Sequence, residues 1–294
     1  MKRHSSLRAF GRPGRRIGGH GPAAIILAED ESELGSTVAH HRAAGFGTII
    51  VIADPHLPDG AAGAALEAGA DHWIMHALPD RAAAAEAINR ACQYLRGRWV
   101  YYCYNAEYLF YPFSETRRVG EMLDFHTEEK RDAMLAYVVD LYPERLADHP
   151  GGVSRETAML DRMGYYALAR PDPAARGRLK ERQLDFHGGL RWRFEEHIPP
   201  SARRIDRIAL FRARPELVLR ADFTFDDEEY NTYACPWHHN LTAAICSFRT
   251  AKALCRNPGS REAIRDFSWH GSDRFTWRAR QLLDLGLIEP GQWF

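Results

Sequence analysis

Three places in this sequence put carboxylates at or just beyond the end of an apolar run. Ala23–Ala28 (AAIILA) ends in Glu29-Asp30-Glu31, and Thr48–Ala53 (TIIVIA) ends in Asp54. Trp99–Cys103 (WVYYC) is followed, after Tyr104, Asn105 and Ala106, by Glu107. Short apolar runs bounded by turn residues read as buried strands. In parallel α/β sheets ligands bind beyond the carboxyl ends of the strands. Carboxylates delivered there suit ribose hydroxyls or a base edge, and in pairs they hold a divalent ion. The same acids can instead do no more than cap the following helix, as Asp30 could.

The elements that must position these acids alternate regularly. Ser32–Ala44 has helical spacing at Leu34, Val38 and His41 and stops at Gly45. A turn through Pro58-Asp59-Gly60 precedes a small helix, Ala61–Ala68. Trp73–Met75 reads as a third strand and Arg81–Leu95 as an alanine-rich helix leading into the Trp99 run. Strands alternating with helices of this length predict an α/β fold, a mostly parallel sheet covered on both faces.

Composition excludes several classes. The chain has 294 residues, 45% of them hydrophobic, with 39 acidic against 39 basic side chains and a formal net charge of zero. That balance gives no pull toward nucleic acid. No apolar run is long enough to span a bilayer. The five cysteines form no CxxC pair and fit reduced thiols, hence a cytoplasmic protein. The basic, glycine-rich residues 1–21 are expected to be a disordered tail, with peripheral contact to an anionic membrane as its minority role.

The ordered motifs resemble those of family 2-type glycosyltransferases. His40-His41 and Gly45 stand where that family ends its first helix in His-His-x-x-x-Gly, and Asp54–Gly60 resembles its D-x-x-S-x-D-G turn without the serine. Gly97, Trp99, Val100, Glu107, Leu109, Tyr111 and Pro112 match its G-x-W-V…D-x-D-E-F-L…Y-P segment. Val138–Pro143 is similar to its D-M-Y-P strand, Phe186–Arg193 to its G-G-x-R-x-R element, and Arg207–Leu210 stands at its K-x-P-L strand. The resemblance runs from about residue 22 to about residue 255. It implies a GT-A-like, Rossmann-type single domain over 22–256, a nucleotide-sugar donor and a glycan or polysaccharide acceptor. Residues 257–294 are expected as an aromatic, helical extension packed on that domain through a helix at Asp273–Leu285.

The departures concern the metal. The family's two metal-holding aspartates fall on Tyr104 and Ala106, and the histidine of its A-L-L-H-F-K segment falls on Ser247. A phenol and a methyl group cannot replace hard oxygen ligands, so no metal cofactor is expected at the usual place. A register shifted by one residue offers Asn105-Ala106-Glu107 as a degenerate motif. Arg191, Arg193, Arg207 and Arg249 are candidates to neutralise a departing diphosphate, since arginine suits bidentate phosphate contacts; each could equally be an ordinary surface arginine. Asp30, Glu31 and Asp54 are expected at the nucleotide. Glu107 and Asp140 are the candidate acid–base groups, Glu107 either as a base or as the holder of a buried amide. The resemblance also puts His238 near the acceptor and His239 in proton transfer, although packing alone would explain either. Cys235-x-x-His238 has half of a zinc spacing without a second paired motif. Arg170–Arg182 is expected to be a polar surface loop. The alternative to an enzyme is a noncatalytic relative that binds nucleotide-sugars or glycans.

Overall fold

The computed structural model describes residues 1–11, 17–231 and 240–293. In chain order the elements begin with β1 (Lys2–His4), α1 (Leu7–Phe10), β2 (Ala23–Ala28), α2 (Leu34–Ala44) and β3 (Thr48–Ala53). They continue with α3 (Asp59–Glu67), β4 (His72–Met75), α4 (Arg81–Cys92), β5 (Trp99–Tyr104), β6 (Glu107–Phe110) and α5 (Val119–Glu128). Next come β7 (Ala133–Pro143), β8 (Ala158–Asp161), β9 (Tyr166–Asp172), β10 (Arg178–His187), α6 (Leu190–Arg193), β11 (Asp206–Arg212) and α7 (Glu228–Asn231). The last are β12 (Ala243–Ser247), α8 (Arg249–Arg256), α9 (Pro258–Ala263), β13 (Ser272–Arg274) and α10 (Ala279–Asp284). The chain is mixed α/β, with a largely parallel sheet flanked by helices, and it groups into two compact units.

The first unit comprises residues 1–108, 116–135 and 208–231. Its strands lie in the order β1-β4-β3-β2-β5, all parallel, with β11 antiparallel beside β5. Every residue of β2, β3 and β5 is buried, as an unbroken apolar run requires when both faces of a strand are covered. Helix α2 buries Leu34, Thr37, Val38 and His41, one stripe of a 3.6-residue period. It ends where Gly45 takes φ +102°, its amide and that of Phe46 closing on the carbonyls of Arg42 and His41.

The expected disordered tail is corrected over its first part. Lys2–His4 add a parallel edge strand to β4, and Ser6 caps α1 through the Ala9 amide. Leu7 and Phe10, three positions apart, both turn inward, and the Phe10 ring meets His72 and Tyr94 edge-on at 5.2 and 5.5 Å. Two apolar side chains were enough to dock a segment whose composition is otherwise basic. Deleting residues 1–11 should therefore lower stability by about 3–5 kcal/mol, since full burial of a Leu or Phe contributes roughly 1.5–3 kcal/mol. Denaturant unfolding of the truncated chain checks this, and an unchanged midpoint would mean the segment contributes nothing.

The second unit comprises residues 109–115, 136–207 and 232–294. Within it β12 runs parallel to β7, from Ala243 beside Ala136 to Ser247 beside Asp140. β8 lies antiparallel to β7, and β13 antiparallel to β8. Residues 170–182 are not the expected loop. Most of them belong to an antiparallel hairpin of β9 and β10 that turns through Pro173–Gly177, with Arg170 inside it on Asp185 and Asp206 at 2.6 and 2.9 Å. The expected helix at 273–285 is shortened to Ala279–Asp284, because Ser272–Arg274 pair with β8 instead. Tyr142, Leu190, Leu254, Ile264 and Phe267 share one core cluster, so residues beyond 257 are an integral part of this unit.

Candidate functional site at two strand ends

In the first unit the chain runs from β2 outward through β3 to β4, then returns to place β5 on the other side of β2. A parallel sheet whose connections reverse in this way opens a crevice at the switch, outside the carboxyl ends of the two strands. The register puts Ala28 beside Ala53 and Leu27 beside Tyr104. Glu29, Asp54 and Asn105 are therefore neighbouring exits from three adjacent strands.

Asn105 holds the switch. It is fully buried, and its backbone amide donates to the Leu27 carbonyl at 3.0 Å. Its side-chain oxygen accepts the Glu29 amide at 3.0 Å, and its NH2 donates to Asp30 Oδ1 at 2.7 Å and to the Ser32 carbonyl at 2.9 Å. Asp30 Oδ1 also accepts the Ser32 amide at 2.9 Å, closing a turn ahead of α2. Glu33, the residue that precedes that helix, caps it with no side-chain bond, and Asp30 shapes the turn without capping the helix. Glu31 is exposed at the same edge. Asp54 accepts the amide and ring nitrogen of His56 at 3.0 and 2.7 Å and the Leu78 amide at 3.0 Å. Burial pushes the Asp54 carboxyl up, but these bonds from Leu78 and His56 outweigh it and hold the group below its ordinary value.

The strand-exit reading of Glu107 needs correction. β5 ends at Tyr104, the chain turns at Ala106 (φ +61°), and Glu107 opens β6. Glu107 is fully buried and its Oε2 accepts the Tyr104 amide at 2.9 Å, while the Ala106 amide donates to Thr37 Oγ1 at 2.9 Å. Tyr104 and Ala106 are themselves buried. Among the described residues no group of three or more His, Cys, Asp or Glu side chains could hold a metal ion.

In the second unit the two motifs around Asp140 and Arg191 meet. Asp140 lies on β7 with its side chain fully enclosed. Its Oδ1 accepts Thr250 Oγ1 at 2.7 Å and lies 3.4 Å from Arg191 Nε, and its Oδ2 accepts the Arg191 amide at 3.3 Å. Gly189, at φ +64°, makes room: a Cβ there would sit 3.0 Å from Asp140 Oδ2. Burial raises the Asp140 carboxyl above its ordinary value, against the opposing effect of Arg191 and Thr250. Arg191 also donates to Thr250 Oγ1 at 3.1 Å and to the Arg204 carbonyl at 2.7 Å. Arg193 Nε donates to Asp161 at 2.9 Å and Nη2 to the Phe267 carbonyl at 2.7 Å, with its guanidinium 4.9 Å over the Trp269 ring. Asp161 further accepts Tyr142 Oη and, at 2.8 Å, Trp269 Nε1.

Two of the four arginines expected on a diphosphate, Arg191 and Arg193, are thus engaged inside the unit. Arg207 is buried on β11, and Arg249 opens α8 with its amide on Ser247 Oγ at 3.2 Å. His238, His239 and Cys235 lie outside the described residues. Asn105, singled out in the sequence only as part of a degenerate metal motif, instead bonds Glu29, Asp30 and Ser32, and Asp161 and Thr250 were not anticipated as site-forming groups. Nothing in the spacing along the chain signalled Asp161 or Thr250, whose partners Trp269 and Asp140 lie 108 and 110 positions away.

No family model matches this chain, and no curated protein matches it. Among solved structures, S. aureus TarS overlaps 40% of this chain at 10% identity and a TM-score of 0.30, and the overlap spans 21% of TarS. A UTP-bound UGPase from Acinetobacter baumannii overlaps 83% of this chain and 96% of its own, at 10% identity and a TM-score of 0.32. HddC from Yersinia pseudotuberculosis overlaps 76% and 90%, at 8% identity and a TM-score of 0.32. The fold of this chain is therefore read from its own strands, and the ligands named for those proteins remain theirs. No helix among the described residues is long and apolar enough to cross a membrane.

Proposed function

We propose that this chain is a glycosyltransferase-like protein that binds a nucleotide-activated sugar at the switch between β2 and β5, without a divalent ion at the place the family resemblance gives to its paired aspartates. The observation that carries this reading is the hydrogen bond of Asn105 to Asp30 at the switch itself, with Glu29, Glu31 and Asp54 along the same edge. An amide donor there orders the acid without a metal, leaving carboxylate oxygens to accept from ribose or base. The acceptor in this reading is a glycan or polysaccharide.

A second reading, a binding relative without transfer, is favoured by the internal use of the charged groups. Glu107 holds the Tyr104 amide, Asp140 is enclosed by Arg191 and Thr250, and Arg193 is held on Asp161. One set of measurements separates the readings. UDP, GDP and UDP-glucose are each added with Mn²⁺ or with EDTA, and melting temperature and sugar release are followed. Binding at the switch predicts stabilisation by a nucleotide in EDTA, about 2.7 kcal/mol at a hundredfold excess over Kd. Asp30→Ala should weaken that binding roughly tenfold, the loss of one charge-assisted hydrogen bond. Turnover in EDTA supports transfer, and binding without turnover supports the noncatalytic relative. No stabilisation by any of the three ligands would remove the nucleotide site.

A further inference from the structure

Successive side chains of β7 point to opposite faces, so Tyr137 and Val139 face away from Asp140. On their side the second unit contains a cavity of about 290 Å³. Buried Val139, Ile205 and Leu287 give it an apolar lining. Four aromatic side chains, Tyr137, Tyr165, Tyr166 and Phe186, stand around it together with His187 and the exposed Glu289. None of the strand-exit residues lines the cavity, and its Tyr165 hydroxyl donates to the Asp161 backbone carbonyl at 3.0 Å.

Size, shape and charge narrow the ligand. The volume is at the small end for ligand pockets and suits one ring, not a nucleotide. Tyr166 is 42% exposed and stacks on His187 with centroids 5.1 Å apart at 17°. The imidazole therefore fixes the orientation of a ring that still offers much of its surface. The face of an aromatic ring is electron-rich, and the C–H bonds on one side of a pyranose pack against such a face. Glu289 stands on a segment anchored by mutual bonds with Thr242, its amide reaching Thr242 Oγ1 at 2.9 Å. A carboxylate and an imidazole beside an aromatic platform supply acceptors and a donor for ring hydroxyls. The Glu289 charge disfavours phosphorylated or acidic sugars.

We propose that this cavity binds one uncharged pyranose residue of a glycan, with Tyr166 as the stacking platform and Glu289 and His187 as the hydroxyl-binding groups. The site is independent of the nucleotide reading, and its test contains no nucleotide. Methyl β-glucopyranoside, methyl β-galactopyranoside and N-acetylglucosamine are each titrated into the full chain, with saturation-transfer NMR and calorimetry as readouts. At least one should bind in the millimolar range, and glucuronate should bind more weakly than glucose. Tyr166→Ala should weaken binding roughly tenfold, as loss of a stacking partner does, with the melting temperature retained because the ring is exposed. Glu289→Gln should weaken it several-fold. Absence of binding by all three sugars at about 50 mM, well above the roughly millimolar Kd of a −4 kcal/mol contact, would overturn the proposal. So would binding left unchanged by both variants, or displacement of the sugar by tetramethylammonium, which would make the cavity a cation cage.

Discussion

Asp161→Ala is expected to cost about 3–5 kcal/mol of stability, the range for breaking a buried ion pair from one side. The Asp161 side chain is almost wholly enclosed, 1% exposed, and takes bonds from Tyr142 Oη, Arg193 Nε and Trp269 Nε1. Alanine leaves all three donors inside the unit without that acceptor. Arg193 keeps its bond to the Phe267 carbonyl and its place over the Trp269 ring, so the charge is not wholly abandoned. Even so, an unsatisfied buried donor costs about 1–3 kcal/mol, and more when charged. Burial and the adjacent Asp161 push the Tyr142 phenol up, so it stays a donor, and without Asp161 it turns to Ser272 Oγ at 2.7 Å. Asp161→Asn retains an acceptor and should lose less than half as much. Denaturant midpoints at constant slope measure both variants, and a loss below about 1 kcal/mol for the alanine variant would mean that water replaces the carboxylate.

Acidification should destabilise the first unit steeply between about pH 6 and 4.5. Burial, with His40 adding to it, lowers His41 from 6.5 to about 3, against the opposing effects of the Thr37 carbonyl and Glu107. Burial, with Arg131 adding to it, lowers His126 from 6.5 to about 4. The folded state holds both rings neutral, whereas the unfolded chain protonates them near pH 6.5. Their neutral forms therefore favour the native state above pH 6.5, and this advantage is lost as pH falls toward the folded values. These two groups give a slope of about 2.7 kcal/mol per pH unit, 1.36 from each, and the half-buried His72, lowered from 6.5 to about 4 by burial and by His4, adds to it. The physical cause is visible in the packing. His41 lies against Tyr101 and Phe46 with centroids 5.0 and 5.8 Å apart, and His126 lies 6.1 Å from Trp99. Among the described residues neither ring nitrogen of His126 has a hydrogen-bond partner, so a proton there finds no acceptor among them. Unfolding free energies at pH 7, 6, 5 and 4.5 test this, and His126→Leu should lower the slope by about 1.4 kcal/mol per pH unit. A flat profile would show that the imidazoles are solvated in the native state.

Ala23–Ala28, Thr48–Ala53 and Trp99–Tyr104 announced themselves as strands because a doubly covered strand must be apolar throughout, a property written in consecutive residues. The stop at Gly45 was equally local, since a left-handed helix terminus needs a residue without a Cβ. That Tyr104 and Ala106 offer no carboxylate oxygens was equally plain, because it follows from side-chain type alone. What those strands do with their polar residues was not local. Asn105 reaches Asp30 across 75 positions, Trp269 reaches Asp161 across 108, and Thr250 reaches Asp140 across 110. Spacing along the chain cannot tell an arginine aimed at a ligand from one paired internally, which is why Arg191 and Arg193 read as phosphate-binding groups until the fold placed Asp140 and Asp161 against them. The edge strand at Lys2–His4 was hidden for the same reason, since Lys2 pairs beside His72; the hairpin around Arg170 is a local pairing, but its many charged residues read as a solvated loop until Asp185 and Asp206 enclosed Arg170.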